Sequence, residues 1–405
     1  MLRFKILTTV FIALITIKSS AETLSEHTFV SVLTCGQGKE LYATFGHTAI
    51  RVCDSLNQID RVFNYGTFDF NTPNFYLKFS QGRLPYMLSI TSFESFLAAY
   101  YYEGRFVYEQ VLRLKPAEKQ QLFDLLMENY RPENRCYAYD FFMDNCATRV
   151  RDIINKALID RTFFIENVSD TNASFRKLLY PYLDSMTWWR LGIDIVLGMR
   201  CDRHASTTQY MFLPFELMHQ LDTLTVDGKN IIESKSLILP QTQAMSPKSI
   251  SPTWIACILL LIIMICTFWE YKSKKHFKGL DITLFLGLSL LSLLVLYLWF
   301  FSNHYTTKYN LNILWANPLF FYVLFRLKKT PRLILYILLA CSGSILIGFW
   351  FLPQSFNMAI FPICIGIFIR LIHLLSLLSD KNLKIVKFNF NALNVNCDIF
   401  VFLIL

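Results

Sequence analysis

The sequence contains no Cys-x-x-Cys and no His-x-x-x-His pair, the spacings from which structural zinc sites are commonly built. Zinc is therefore only a minor alternative, although Cys35, Cys53, Cys136, Cys146 and Cys201 with His47, His204 and His219 could supply ligands. No metal and no cofactor is expected. No cysteine follows the N-terminal apolar stretch, so the chain does not read as a lipoprotein itself, and no internal repeat is present. Charge is also sparse: Asp, Glu, Lys and Arg make up 17% of 405 residues against 54% hydrophobic residues, and mean hydropathy is +0.36. That is too apolar for an ordinary soluble globule, and part of the chain must lie in lipid. The net charge of +9 sits largely in short Lys/Arg clusters beside apolar runs, where headgroups and topology account for it. No nucleic-acid partner is expected.

What is present divides into two bodies. Residues 22–250 mix polar and aromatic side chains, whereas 253–379 contain long runs of Leu, Ile and Phe. The N-terminus has a basic start (Met1 to Lys5), an apolar stretch (Ile6 to Ile17) and the small residues Ser19-Ser20-Ala21, the pattern of a signal peptide over 1–21. An uncleaved anchor is the alternative and leaves the downstream topology unchanged. An exported domain (22–238), a polar, Pro-containing linker (239–252), a membrane domain (253–379) and a tail (380–405) follow. A bilayer core of about 30 Å needs about 20 helical residues, and about five spans are expected, at 253–269, 282–301, 311–325, 333–351 and 357–378. The third is short and carries Asn312, Asn317 and Pro318. Lys272, Lys274, Lys275 and Lys278 follow the first span, Arg326, Lys328, Lys329 and Arg332 the third, and Lys381, Lys384 and Lys387 the fifth. Positive-inside bias then puts 22–250 outside the cytoplasm and the C-terminus inside it. Residues 388–405, which alternate Asn with apolar residues, receive no role.

The exported part reads as an α+β domain of about 200 residues, large enough for one core. Strands are expected at Thr28 to Thr34, His47 to Val52, Arg61 to Tyr65 and Val107 to Leu114. Helices are expected at Phe93 to Tyr102, Ala117 to Tyr130, Cys146 to Leu158 and Tyr210 to Leu224, with a short hairpin around Asp227-Gly228. Five cysteines in an oxidising compartment leave at least one unpaired. Two disulfides with one free nucleophile and five buried thiols are both compatible with the spacing.

Two segments carry chemistry. In Asp144-Asn145-Cys146-Ala147-Thr148-Arg149, Asp144 or Asn145 can cap a helix whose first turn holds Cys146. A thiol there meets unpaired N–H groups, which favour the thiolate and could also hold an oxyanion. In Phe45-Gly46-His47-Thr48-Ala49-Ile50-Arg51-Val52, His47 begins a strand and could act as general base. A hairpin turning at Ser55-Leu56 would set His47 opposite Asn64, which could orient the ring; Tyr65 or Asp69 would serve if the register slips. Aromatic stretches such as Phe68 to Phe79, Phe93 to Tyr102 and Trp188-Trp189 could cover an acyl groove or dip into the interface, core packing being the simpler account for most.

The order of histidine strand before Asn-Cys helix resembles the circularly permuted papain-like (NlpC/P60 and lecithin:retinol acyltransferase-like) superfamily. More narrowly, Thr34-Cys35-Gly36, Glu40-Leu41-Tyr42, the His47 segment, Asn64-Tyr65-Gly66-Thr67-Phe68-Asp69-Phe70 and Tyr139 through Arg149 resemble the periplasmic domain of Lnb-type bacterial lipoprotein N-acyltransferases. The resemblance continues through Asn310-Leu311-Asn312-Ile313-Leu314-Trp315-Ala316-Asn317-Pro318-Leu319 in the membrane part. It implies a bacterial inner-membrane enzyme that moves an acyl chain from a phospholipid donor to the α-amine of a diacylated lipoprotein. Cys146 is then the nucleophile and His47 the base, with Asn64, Asn145 and Tyr65 as orienting or oxyanion groups. A membrane-anchored cell-wall hydrolase and a non-catalytic scaffold or sensor are the alternatives.

Overall fold

The structure, a computed structural model, describes residues 22–159, 173–242, 249–327 and 329–383. The expected signal peptide, the middle of the linker and the tail from residue 384 lie outside the described residues. Strands β1 (Phe29–Cys35), β2 (His47–Asp54), β3 (Ile59–Thr67), β4 (Pro85–Ser92), β5 (Val107–Leu112) and β6 (Cys136–Ala138) come first; a small ribbon, β7 (Thr225–Val226) with β8 (Lys229–Asn230), precedes β9 (Ile232–Leu239). All but the ribbon form one antiparallel sheet in the order β6-β4-β3-β2-β1-β5-β9.

The helices of this domain are α1 (Phe75–Ser80), α2 (Phe93–Tyr102), α3 (Pro116–Tyr130), α4 (Cys146–Ala157), α5 (Phe175–Leu183), α6 (Thr187–Val196), α7 (Thr207–Tyr210) and α8 (Pro214–Thr223). Both faces of the sheet are covered, which is why β1 reads as a near-continuous apolar run. Val30, Val32, Ile50, Val52, Phe63 and Tyr65 pack with Leu122 and Phe123 of α3 and with Val150 and Ile154 of α4. Leu33, Cys35, Ala49 and Val62 point to the other face, where Phe96 of α2 covers them. The helix expected over Tyr210 to Leu224 is interrupted, because Pro214 lacks an N–H and starts a new helix. All nine cysteines of the described residues are unpaired thiols.

The membrane domain consists of α9 (Pro252–Ser273), α10 (Lys278–Phe300), α11 (Leu319–Phe325), α12 (Arg332–Gly348) and α13 (Ile360–Leu383). Residues 252–273, 278–300 and 360–378 are each long and apolar enough to cross a membrane, and α12 is a shorter apolar helix of 17 residues. Large apolar side chains such as Ile258, Leu261, Ile265 and Phe268 on α9 are exposed, as a lipid-facing surface requires. The third expected span is not one helix. A 3-10 turn at Leu311–Leu314 is followed by Asn317, whose Oδ1 accepts from Leu319 N at 3.0 Å, and by Pro318, which caps α11.

Asn312 of that span, with Asn310 and Asn357, joins the two bodies. Asn310 Nδ2 donates to Ile195 O at 2.7 Å, Asn312 Nδ2 to Ile195 O at 3.0 Å, and Asn357 Nδ2 to Asp194 Oδ2 at 2.9 Å. Two of these amides satisfy end carbonyls of α6, which have no intrahelical partner. At the opposite end of the bundle, fully buried Arg370 binds Asp281 at 2.8 Å and Glu270 at 3.2 Å, tying α13 to α10 and α9. A buried charge in a membrane segment is costly unless paired in this way.

Candidate active site

Helix α4 starts at Cys146 because Asn145 caps it. Asn145 Oδ1 accepts from Thr148 N at 2.9 Å, and Thr148 Oγ1 accepts from Asn145 N at 2.8 Å. This reciprocal cap leaves the first-turn N–H groups of Cys146 and Ala147 to the thiol, and the N–H of Thr48 on β2 adds a third donor. The amide hydrogens of Asn145 go to Phe141 O and Phe212 O, both at 2.7 Å. Asn145 therefore builds the helix start and has no hydrogen left for an oxyanion.

The thiol lies where the sheet opens. The β2–β3 ladder runs from Asp54↔Ile59 to Ile50↔Phe63 and stops there, and β3 is irregular against β4 between Asn64 and Thr67. Gly66, with φ +86°, lines this opening: a Cβ on it would stand 3.6 Å from Cys146 Cβ and 3.6 Å from the Tyr139 ring. Gly66→Ala is expected to cost about 1–2 kcal/mol through the left-handed backbone alone. A fall of several degrees in melting temperature checks this, and an unchanged one refutes it.

His47 follows Gly46, whose φ is +81° and whose missing Cβ would meet Cys35 O at 2.7 Å. Only glycine fits that close approach. The ring is half-buried, and its Nε2 lies 3.4 Å from Asn64 Oδ1. If Nε2 carries the proton, Nδ1 is the free base. The register differs from expectation by two residues, since Asp54↔Ile59 puts Ala49 level with Asn64. A two-residue offset preserves the face of a strand, and the contact is diagonal. Tyr65 points to the opposite face, where its hydroxyl accepts from Asn129 Nδ2 at 2.7 Å, and exposed Asp69 binds the N–H of Asn71. Neither orients the ring. Among the described residues no hydrogen bond joins imidazole to thiol; the two meet through the His47–Thr48 backbone, Thr48 N–H facing the sulfur.

The electrostatics correct one expectation. Burial pushes the Cys146 thiol above its usual value and outweighs the three N–H groups that favour the thiolate. Burial, then the positive charge of Arg105, pushes His47 down to about 4. The thiol and the imidazole are thus both neutral at rest. The imidazole remains free to accept a proton until pH falls through about 4. We expect kcat/KM to hold through mildly acidic pH and to drop only there, whereas an acid limb near pH 6.5 would refute the assignment. Neighbouring Cys35 is pushed to about 12 by burial and is inert beside Cys146.

Arg105 and Tyr137 were not anticipated. Buried Arg105 binds Gly36 O at 2.8 Å and Glu103 at 2.7 Å, interactions made across a loop and invisible to strand or helix periodicity. The Tyr137 hydroxyl is buried 3.9 Å from the position of a Gly66 Cβ, and its hydrogen has no acceptor among the described residues. Its ring lies under the Arg149 guanidinium at 3.5 Å, while Arg149 pairs with Asp144 at 2.6 Å. Tyr137 is a further donor facing the opening beside the sulfur.

A mixed α/β domain bearing this site, followed by a domain of helices long and apolar enough to cross a bilayer, defines a membrane-anchored protein. Residues 18–179 match the family model of the Lnb N-terminal periplasmic domain, and residues 243–382 match that of the Lnb transmembrane domain. The chain belongs to the Lnb-type lipoprotein N-acyltransferase family. No curated protein and no solved structure matches it. Membership implies acyltransferase activity on lipoprotein and membrane-lipid substrates.

Proposed function

We propose that the protein transfers one fatty acyl chain from a phospholipid to the N-terminal amine of a diacylated lipoprotein through a thioester on Cys146. The observation that carries this reading is the thiol held at the capped N-terminus of α4, among the N–H groups of Cys146, Ala147 and Thr48, the last of these one residue along β2 from the Asn64-bound imidazole. In the first half-reaction the thiol proton passes to His47 Nδ1 as sulfur attacks the ester carbonyl. The carbon–oxygen ester bond breaks, and the lysophospholipid oxygen leaves with that proton. In the second, the acceptor amine attacks the thioester and gives a proton to His47, the carbon–sulfur bond breaks, and His47 returns that proton to the sulfur. The N–H groups of the first helical turn, which face the thiol at rest, are suited to hold the oxyanion of both tetrahedral intermediates. Because both partners in proton transfer are neutral at rest, transfer accompanies attack and does not precede it.

The orientation we propose places the domain outside the cytoplasm and the C-terminus inside, since Lys272 and Lys274 end α9 at the far side of the bundle from the domain. The test is to express the protein in cells whose own lipoprotein N-acylation has been removed and to weigh the N-terminal peptide of one lipoprotein. The gain of one acyl chain with the parent protein, but not with Cys146→Ala, is expected. Diacyl peptides from both would overturn the proposal, and altered muropeptides with unchanged lipoproteins would assign a cell-wall hydrolase instead.

A further inference from the structure

We propose that α1 is seated in the bilayer surface and that the row of rings between it and Cys146 admits one acyl chain of a phospholipid from the adjacent leaflet. This rests on the acyl-transfer reading and adds the route by which the donor arrives. Helix α1 is short and largely apolar, yet Tyr76 is 80% exposed and Phe79 51% exposed. Core packing does not explain such side chains on a water-exposed domain. Their position does. Ser80 Oγ lies 2.9 Å from Tyr297 Oη in the last turn of α10, Asn303 N donates to Gln81 O at 2.8 Å, and His304 Nε2 lies 2.9 Å from Phe79 O. Residues 297–304 are where the chain leaves the apolar span, so α1 sits at the height of the headgroups. Exposed Trp254, in the first turn of α9, lies at the same end of the bundle, and aromatic rings concentrate at that depth.

From this surface the rings form a continuous path inward. Phe79 stacks on Phe75 at 6.5 Å, Phe75 lies 5.8 Å from Phe68, Phe68 lies 5.3 Å from Tyr86, and Tyr86 stacks on Tyr139 at 4.2 Å. Tyr139 and Cys146 then flank Gly66, a Cβ on which would stand 3.6 Å from each. An acyl chain lying along these rings exchanges bilayer for aromatic surface, with its ester end at Tyr139 and its tail trailing back toward α1 and the bilayer. The ester is thereby brought to the sulfur without the whole lipid leaving the membrane.

The test uses the full-length protein in phospholipid nanodiscs with the double variant Tyr76→Ser/Phe79→Ser. Leu56→Ser serves as control, because Leu56 is exposed on the β2–β3 turn at the far end of the sheet from His47. Transfer from a bilayer-embedded donor is expected to fall about tenfold or more in the double variant, with transfer from a water-soluble short-chain donor kept within about twofold. Equal loss on both donors, or no loss on either, overturns the proposal. A phospholipid carrying a photoreactive group on the acyl chain next to its ester supplies a readout independent of turnover. Label on peptides containing Tyr86 and Tyr139 is expected, and its absence there also overturns the route. A parent protein that is labelled at these rings but transfers no acyl chain would sink the enzymatic reading and leave the binding path standing.

Discussion

Cys146→Ala is expected to lower lipoprotein N-acylation by at least about 10⁴-fold while the protein still folds and inserts. The side chain is buried among Ala147, Val150 and Tyr65, so removing one sulfur leaves a small cavity costing about 1 kcal/mol. Cys146→Ser keeps an acceptor for the three N–H groups but supplies a far weaker nucleophile, and should be almost as inactive. His47→Ala separates the role of base from that of filler. Since burial raises the Cys146 thiol above its reference value of 9.0, less than about 1% is ionised at pH 7 without a proton acceptor. Activity of that variant should therefore be low at neutral pH and climb as pH rises toward and beyond 9, the direction in which hydroxide replaces the lost base. Rates measured from pH 6 to 10 decide this: a flat, uniformly reduced profile would mean that His47 only packs the site. The parent, with an imidazole held near 4, should show no comparable dependence between pH 5 and 8.

The parts of this site legible in the sequence were those written in local pattern. The Asn145 cap, the strand beginning at His47 and the helix Cys146–Ala157 follow from side-chain types at fixed offsets. Asn64 was reachable because strand faces repeat every second residue, so that even a register displaced by two kept it beside the ring. The opening at Gly66 was not legible, since it arises where β3 shifts against β4, and β4 itself was not expected from Pro85-Tyr86-Met87-Leu88-Ser89-Ile90. Edge strand β9 was missed because Glu233, Ser234, Lys235 and Ser236 are exposed and it shows no buried alternation. The pKa direction of Cys146 was misjudged for a related reason. A helix N-terminus can be read from a cap, but the burial that outweighs it comes from tertiary packing of β2, β3 and β6 around the sulfur.

Arg176→Ala is expected to be the most destabilising single change in the periplasmic domain, by about 3–5 kcal/mol, and to loosen that domain from its anchor. Arg176 on α5 is fully buried, with Nε 2.9 Å from Asp202 Oδ1, Nη1 3.2 Å from Asp194 Oδ1 and Nη2 2.9 Å from Leu197 O. Removing it strands two carboxylates with almost no access to water. Asp194 is also the residue that Asn357 of the membrane domain binds at 2.9 Å, so its distress is transmitted to the junction. Arg176→Lys keeps the charge but loses the planar fork and should fall between. Asn357→Ala removes one hydrogen bond without uncovering a charge and should cost only about 1 kcal/mol. Thermal unfolding of the full chain in detergent should rank the variants in that order, with Arg176→Ala lower by about 10 °C. If Arg176→Ala and Asn357→Ala melt alike, the cluster is not what fixes the domain on the bundle. Should the ranking hold, Arg176→Lys at permissive temperature should retain transfer from a soluble donor yet lose it from a bilayer-embedded one. The thiol chemistry is untouched by that substitution, and what changes is the height at which Cys146 is held above the lipid.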